Sequence, residues 1–294
     1  MTSQDPAVVV FGSLHYDIVV HGPGRPKKGE TVTGTAWHPD CGGKGGNQAV
    51  SAAKHGVASA MIGAVADDQF GVALLANLDR NGVDRAFVRT IEGAGSGMSV
   101  AIFDAEGDYG AVIVSGSNLQ LGARDVEASK DLFRPGAILV LQNEVPDAAN
   151  VLAASAMKRA GGRVILNAAP ARKPSLELEA LVDIVVVNAV EAEVLSDVAE
   201  VNSLDSALAA ARTLSKTYPV AVVTAGGDGV ACVERDSGNE TAIPAIKIKL
   251  ISTHGAGDEF IGVLAAQLIQ NAPMATALSK ANEAAAILVS TPRG

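Results

Sequence analysis

The sequence predicts an α/β fold: a mostly parallel central sheet with helices on both faces, plus a small β-sheet lid over one edge. Three features of the 294 residues carry this expectation. Short unbroken apolar runs, such as Ala7–Phe11 (AVVVF) and Ile184–Val187, suit strands buried on both faces. These runs alternate with helix-periodic stretches, the order that parallel βαβ units require. Glu30–Trp37 (ETVTGTAW), and Met98–Phe103 with Ala111–Val114, instead alternate with period two, as half-exposed antiparallel strands do.

The first strand, Ala7–Phe11, is closed by Gly12-Ser13, and Leu14-His15-Tyr16-Asp17 is expected at its carboxyl end, where ligand groups gather in open α/β sheets. After the first alternating segment, Cys41-Gly42-Gly43-Lys44-Gly45-Gly46-Asn47-Gln48 leads into an alanine-rich helix over Ala49–His55. Strand then follows helix repeatedly. Met61–Val65 precedes Phe70–Asn81, Ala137–Leu141 precedes Ala148–Ala160, and Val164–Leu166 leads to Ile184–Val187 with Ala192–Leu195. Ala207–Lys216 is a helix before the strand Val220–Thr224. An apolar strand through Leu250–Ser252 should enter a helix from Asp258 to about Gln270, and Met274–Val289 is the last helix. Glu106-Gly107-Asp108 reads as a turn between the last two alternating segments.

One domain over 1–294 is expected, because no linker, repeat or low-complexity segment divides the chain. Segments of about 14–40 and 96–117 would form the small β subdomain, as a lid or a dimer surface. Hydrophobic residues make up 48% and charged ones 19%, which supplies a buried core and excludes a disordered chain. The net charge of -9 argues against a nucleic-acid or anionic-membrane partner. Cys41 and Cys232 are too few for a disulfide framework and point to a reducing cytoplasm. Met1–Pro6 lacks the basic start of a leader, and no apolar run approaches a bilayer crossing, so a soluble, cytoplasmic protein is expected.

Two glycine-rich stretches carry the chemistry. In Gly255-Ala256-Gly257-Asp258, the glycines let the first amides of a helix face an anion, and Asp258 stands beside them. A carboxylate there repels an anionic ligand unless it acts as a general base beside a phosphoryl group; read alone, it is a helix cap. The Lys44 stretch is no Walker A loop, because Gly45 stands where Ser or Thr is needed. A dinucleotide fingerprint also fails, since Phe260 replaces its third glycine, so an NAD-linked oxidoreductase is set aside. Glu144, Asn188 and Thr224 each follow a strand, and with Asp17 and Asp258 they should reach one rim of the sheet.

With these motifs, from Val8 to about Val289, the chain resembles the ribokinase-like (PfkB) carbohydrate kinases, and their ribokinase branch in particular. Gly42–Val50 (GGKGGNQAV) is similar to the family's first signature and Gly255–Asp258 to its second, about two hundred residues later. The resemblance implies that Asp258 deprotonates a primary hydroxyl of a small sugar, D-ribose being converted to D-ribose 5-phosphate, with the amides of Gly255, Ala256 and Gly257 as the anion hole. It implies that Asp17, Gly43, Lys44, Asn47 and Glu144 hold the sugar, with His15 beside them. ATP and Mg2+ are the implied cofactors. Asn188 and Glu191 form the Asn-x-x-Glu element, in which Glu191 holds magnesium through water, while Thr224, Gly226, Gly229 and Asn282 lie against the nucleotide. Sugar and ATP are the expected small-molecule partners, and a homodimer through the lid sheets is a further one.

Four departures qualify the resemblance. Ser252 replaces the usual Asp of a monovalent-cation site, so potassium activation is not expected. His15 stands where Asn is common, which keeps a nucleoside kinase as the alternative. Glu259 beside the base would weaken phosphate binding if it faced inward. The sequence stops at Gly294, where relatives usually continue through a loop and a last helix, so the adenine-side wall and cation loop are expected to be incomplete. With Ser252, this leaves a non-catalytic sugar or nucleotide sensor as the reading from another class.

Overall fold

The computed structural model describes residues 7–104, 109–198 and 200–291. The chain begins β1 (Val8–Phe11), β2 (His15–His21), β3 (Ala36–Gly42), α1 (Lys44–Lys54), β4 (Ser59–Ala66), α2 (Gln69–Arg80), β5 (Asp84–Ile91), β6 (Met98–Phe103) and β7 (Tyr109–Val114). It continues α3 (Ala123–Ala128), β8 (Ile138–Gln142), α4 (Asp147–Arg159), β9 (Arg163–Asn167), α5 (Leu176–Glu179), β10 (Ile184–Asn188) and α6 (Ala189–Ser196). The last elements are α7 (Leu204–Leu214), β11 (Val220–Thr224), β12 (Gly229–Glu234), β13 (Asn239–Pro244), α8 (Ala256–Ile269) and α9 (Met274–Ser290).

A nine-stranded sheet has the order β13-β12-β11-β10-β9-β8-β1-β4-β5, parallel except for β12 and β13. The unbroken apolar runs follow from this burial. Val9 and Phe11 of β1 pack with the α4 and α7 side, while Val8 and Val10 pack with α1, α8 and α9 on the other. All four are 0% exposed, and each large side chain buried in this way contributes roughly 1.5–3 kcal/mol. Of the apolar residues at helical spacing on α8, Phe260, Ile261, Leu264, Ala265 and Leu268 are buried and Ile269 is half-buried; Val263 and Ala266, off that face, are buried as well.

A second, four-stranded sheet has the order β3-β2-β6-β7. Its base is pinned to the large sheet by side-chain hydrogen bonds. Asn118 accepts from the Leu14 N–H at 3.0 Å and donates to the Leu14 carbonyl at 2.9 Å. Asp68, which caps α2, accepts from the Ser96 N–H at 2.8 Å just ahead of β6.

Several expectations are corrected. Leu14–Asp17 does not simply end β1: the chain re-enters a strand at His15, and the adjacent Val19-Val20 masks its alternation. Of Glu30–Trp37, only Ala36 and Trp37 belong to a strand. The strand is β3, which tolerates Pro39 because it is an edge and loses no ladder bond there. Met98–Phe103 is antiparallel to β7 but parallel to β2, since it arrives by a crossover from the large sheet. The first helix starts at Lys44, not Ala49, so the glycine stretch is largely its opening turn. A Cβ on Gly45 would lie 2.7 Å from Ser13 backbone atoms, and the missing side chain lets α1 press onto the β1–β2 turn. Leu250–Ser252 is not a strand. Leu250 and Ile251 are 58% and 49% exposed, and the Ile251 and Ser252 amides reach the Val289 carbonyl instead of a sheet neighbour.

Three further strands escape the sequence patterns. Arginines interrupt the apolar residues of β5, and Arg89 bonds Asp125 at 2.7 Å; β12 and β13 form a hairpin closed by Arg235–Gly238. Met1–Pro6 and the Glu106–Asp108 turn lie outside the described residues. Among the described residues no helix is long and apolar enough to cross a membrane.

Candidate active site

The carboxyl ends of the parallel strands and one face of the small sheet enclose a cavity of about 1020 Å³. Strand register explains which face of the small sheet borders the cavity. Asp17, Val19 and His21 alternate along β2, with Asp40 and Ser99 opposite Asp17, and all of them line the cavity. From the large sheet come Asn188 at the end of β10, Thr224 at the end of β11 and Glu144 just after β8. Gly43 and Lys44 at the start of α1, Asn47 on its next turn, and Gly255, Gly257 and Asp258 at the start of α8 complete the ring.

Asp258 is the third residue of α8, whose N-cap is Gly255 in the left-handed region (φ 76°). It does not cap the helix. Only 8% exposed, it accepts from Asn47 Nδ2 at 3.0 Å on Oδ2 and from Gln48 Nε2 at 2.9 Å on Oδ1. Burial pushes its pKa up, the Lys44 charge and the two amide donors pull it down, and Glu144 pushes it up again. The result is a carboxyl above the ordinary aspartate range, held on both oxygens at the wall of a cavity.

The remaining charged groups are also supported. Asp17 accepts from Ser99 Oγ at 2.5 Å; burial raises its pKa, Ser99, His15 and His254 lower it, and Asp40 raises it. Glu144 accepts from Ser13 Oγ and from the Lys44 N–H at 3.0 Å, with His15 Nδ1 3.7 Å away. Glu191 and Asn188 cap α6 reciprocally: Glu191 Oε2 accepts from the Asn188 N–H at 2.8 Å, and Asn188 Oδ1 accepts from the Glu191 N–H at 2.9 Å. Glu191 is buried, not the exposed first-turn acid a bare helix start suggests, and burial raises its pKa against the pull of Asn188 and Lys44. Lys44 thus acts electrostatically on both Asp258 and Glu191.

Most of the residues marked by the sequence converge here. Ala256 does not line the cavity, and its N–H faces the Thr253 carbonyl at 3.4 Å. Gly226, Gly229 and Asn282 stand outside it as a second group. Gly229 pairs with Pro244, and the Pro244 carbonyl accepts from Asn282 Nδ2 at 3.1 Å. This group adjoins Thr224 through the β11–β12 pairing, Thr224 lying opposite Val230. Glu259 turns away from the cavity to His55, 2.8 Å from its ring nitrogen, which removes it as a repulsive neighbour of a bound phosphate. Gln48 and Ser99 are the supporting residues the motifs do not single out. Gln48 lies within the Gly42–Val50 stretch but is given no role there, and Ser99 acquires one only through its pairing with β2.

Comparison with known proteins agrees with this arrangement. Residues 5–294 match the family described as pfkB family carbohydrate kinase. The chain is 33% identical over 276 residues to a deoxyribokinase of Salmonella typhi, covering 93% of this chain and 89% of that protein. It is 32% identical over 286 residues to a ribokinase of Mus musculus, covering 96% and 88%. The structure of Arabidopsis thaliana ribokinase complexed with ribose and ATP superimposes with a TM-score of 0.88 at 27% identity, covering 99% of this chain and 95% of that one. The chain therefore belongs to the pfkB family of carbohydrate kinases and is a sugar kinase with a sugar hydroxyl as its acceptor.

Proposed function

We propose that this chain transfers the γ-phosphoryl group of ATP to a primary hydroxyl of a small pentose, D-ribose to D-ribose 5-phosphate being the first candidate. The observation that carries this is Asp258, a buried carboxylate fixed by Asn47 and Gln48 across a cavity from Asp17. As general base, Asp258 takes the hydroxyl proton while the oxygen attacks phosphorus; its raised pKa makes it a better proton acceptor than an ordinary aspartate. The helix start would supply the Gly255 and Gly257 amides and the positive end of the dipole to the transferred group, the Ala256 amide being directed at the Thr253 carbonyl instead. Asp17, Gly43, Lys44, Asn47 and Glu144 would hold the sugar hydroxyls, with His15 against Glu144 at the back of the site.

Asn188, Glu191 and Thr224 would face the nucleotide, and Gly226, Gly229 and Asn282 would meet whatever part of it extends beyond the cavity. The family in general uses ATP with magnesium. The donor set suits that ion: Glu191 offers one carboxylate, and among the described residues there is no cluster of three or more metal-ligating side chains, as expected for an ion that keeps its waters and leans on phosphates. When bound, magnesium neutralises charge on the phosphates. Ser252 offers no carboxylate for a monovalent cation, so turnover is expected to be indifferent to potassium.

The small sheet would close over the sugar. Hydrogen exchange of β2, β3, β6 and β7 amides should slow when ribose is added, while β1 and β8 stay unchanged; no change in the small sheet would rule out closure. Its outer side exposes Trp37 (67%), Val112 (70%) and Val114 (51%), which supports pairing of two copies through this sheet. Light scattering decides that.

An ADP-release assay over ribose, 2-deoxyribose, other pentoses, hexoses and nucleosides tests the substrate. Turnover on none of them overturns the proposal. Preference for a nucleoside would favour the second reading, which rests on the stacked rings of His21, His38 and Phe103 on the lid face of the cavity.

A further inference from the structure

Asp258 is bonded on both oxygens, but the two partners differ in kind. Asn47 lines the cavity, whereas Gln48 is 0% exposed and does not. Behind Gln48 the bonding continues into the core. Gln48 Oε1 accepts from Gln142 Nε2 at 2.8 Å, and the Gln142 carbonyl accepts from Asn150 Nδ2 at 2.8 Å. Gln142 and Asn150 are also 0% exposed. Three amide side chains in a row inside an otherwise apolar core are costly, because buried polar atoms lose water. The cost is not fully relieved here: Gln142 Oε1 and Asn150 Oδ1 have no hydrogen-bond partner. Apolar side chains of similar volume would pack this region at least as stably.

We propose that Gln48, held in register by Gln142, is a positioning residue that fixes the Asp258 carboxylate and leaves Oδ2 as the oxygen that takes the substrate proton. This rests on the reading of Asp258 as the base. A glutamine amide can turn over in place, exchanging donor for acceptor. Turned over, Gln48 would set Oε1 against the acceptor-only carboxylate and Nε2 against the Nε2 of Gln142, so Asp258 and Gln142 together select the end that faces the base. Gly12, after β1, makes the room: a Cβ there would stand 1.8 Å from Gln142 Oε1. The charged groups acting on Asp258 are Lys44 on α1, Glu144 after β8 and Glu191 on α6. The Gln48 donor favours the ionised form, so losing it should raise the pKa and move the acid limb of kcat to higher pH.

The test uses Gln48→Met, Gln142→Met and the double variant, assayed with ATP and whichever sugar the wild type phosphorylates. Gln48→Met should lower kcat about tenfold or more, leave the sugar KM within about twofold and move the acid limb upward. Gln142→Met should do the same to a smaller extent. Because Gln142 acts through Gln48, the double variant should be no worse than Gln48→Met. Unchanged kcat and acid limb in Gln48→Met, or additive losses in the double variant, would overturn the assignment. If Gln48→Met does not fold by circular dichroism, Gln142→Met and Gly12→Ala carry the test, since both disturb the relay one step further from the base; wild-type pH profiles in both overturn it. Wild-type inactivity on every sugar defeats the proposed substrate instead, and full activity in Asp258→Asn defeats the assignment of Asp258 as the base. Activity lost in Asp258→Asn but intact in Gln48→Met defeats the relay alone.

Discussion

The floor of the cavity and the lid above it each present a buried aspartate, and they hold it in different ways. Asp258 is supported across elements: α8 carries the carboxylate, α1 the two amide donors, and β8 the glutamine behind one of them. Asp17 depends on Ser99, one strand away in the same small sheet. The lid is tied to the large sheet and its helices by Asn118 and Asp68, by Cys41 Sγ on the Ala73 carbonyl at 3.7 Å and by the stacking of Tyr16 on Phe70, and it exposes apolar side chains on its far side. A group that must meet phosphorus at a fixed distance belongs on the floor, where nothing moves without breaking several bonds. If the small sheet closes over the sugar as proposed, a group that selects the sugar can ride on it.

Removing the floor carboxylate should give the largest effect. Asp258→Asn keeps the shape and an acceptor but not the base, so kcat should fall about 10²–10⁴-fold, the usual worth of a positioned base. Sugar affinity, read by isothermal titration, should stay near that of the wild type. Equal losses in kcat and affinity would mean that Asp258 binds sugar and is not the base.

The lid aspartate should behave in the opposite sense. Asp17→Asn weakens charge-assisted hydrogen bonds of roughly 1.5–3 kcal/mol, so the sugar KM should rise about tenfold to a hundredfold with kcat largely kept. A pH series sharpens the contrast. Lys44 lowers the pKa of Asp258, so Lys44→Met should raise it and shift the acid limb of kcat to higher pH. A limb that stays in place would mean that another group limits the rate at low pH.

The sequence makes these two regions legible to different degrees. The floor is readable because its strands are buried on both faces and its motifs are contiguous: Lys44 and Asn47 on one helix start, Asp258 on another. What it hides is support between distant segments. Gln48 and Gln142 are 94 residues apart, and nothing local marks their contact. The lid is harder to read. Its strands come from two separate stretches, β3 carries Pro39, and Ser99 acquires a role only through its register with Asp17. The apolar stretch Leu250–Ser252 reads as a strand, yet no layer covers Leu250 or Ile251 and no ladder forms there. Hydrophobic periodicity reports a face that could be buried; whether anything covers that face is a property of the whole fold.

The smallest predicted effect tests whether the lid site really hangs on one bond. Ser99→Ala removes the donor at 2.5 Å from Asp17 and leaves the β2–β6 ladder intact. Ser99 acts on the sugar only through Asp17, so the rise in sugar KM should be smaller than for Asp17→Asn, about fivefold, the worth of an ordinary hydrogen bond of about 1 kcal/mol, with kcat unchanged. The direction with pH is also determined. Ser99 lowers the Asp17 pKa, so without it the ionised form that accepts the sugar hydroxyls is lost at a higher pH as the solution is acidified. Binding of sugar to Ser99→Ala should therefore weaken earlier on the acid side than in the wild type. If affinity and its pH dependence both match the wild type, Asp17 is held by something stronger than its strand neighbour, and the lid would be as firmly organised as the floor.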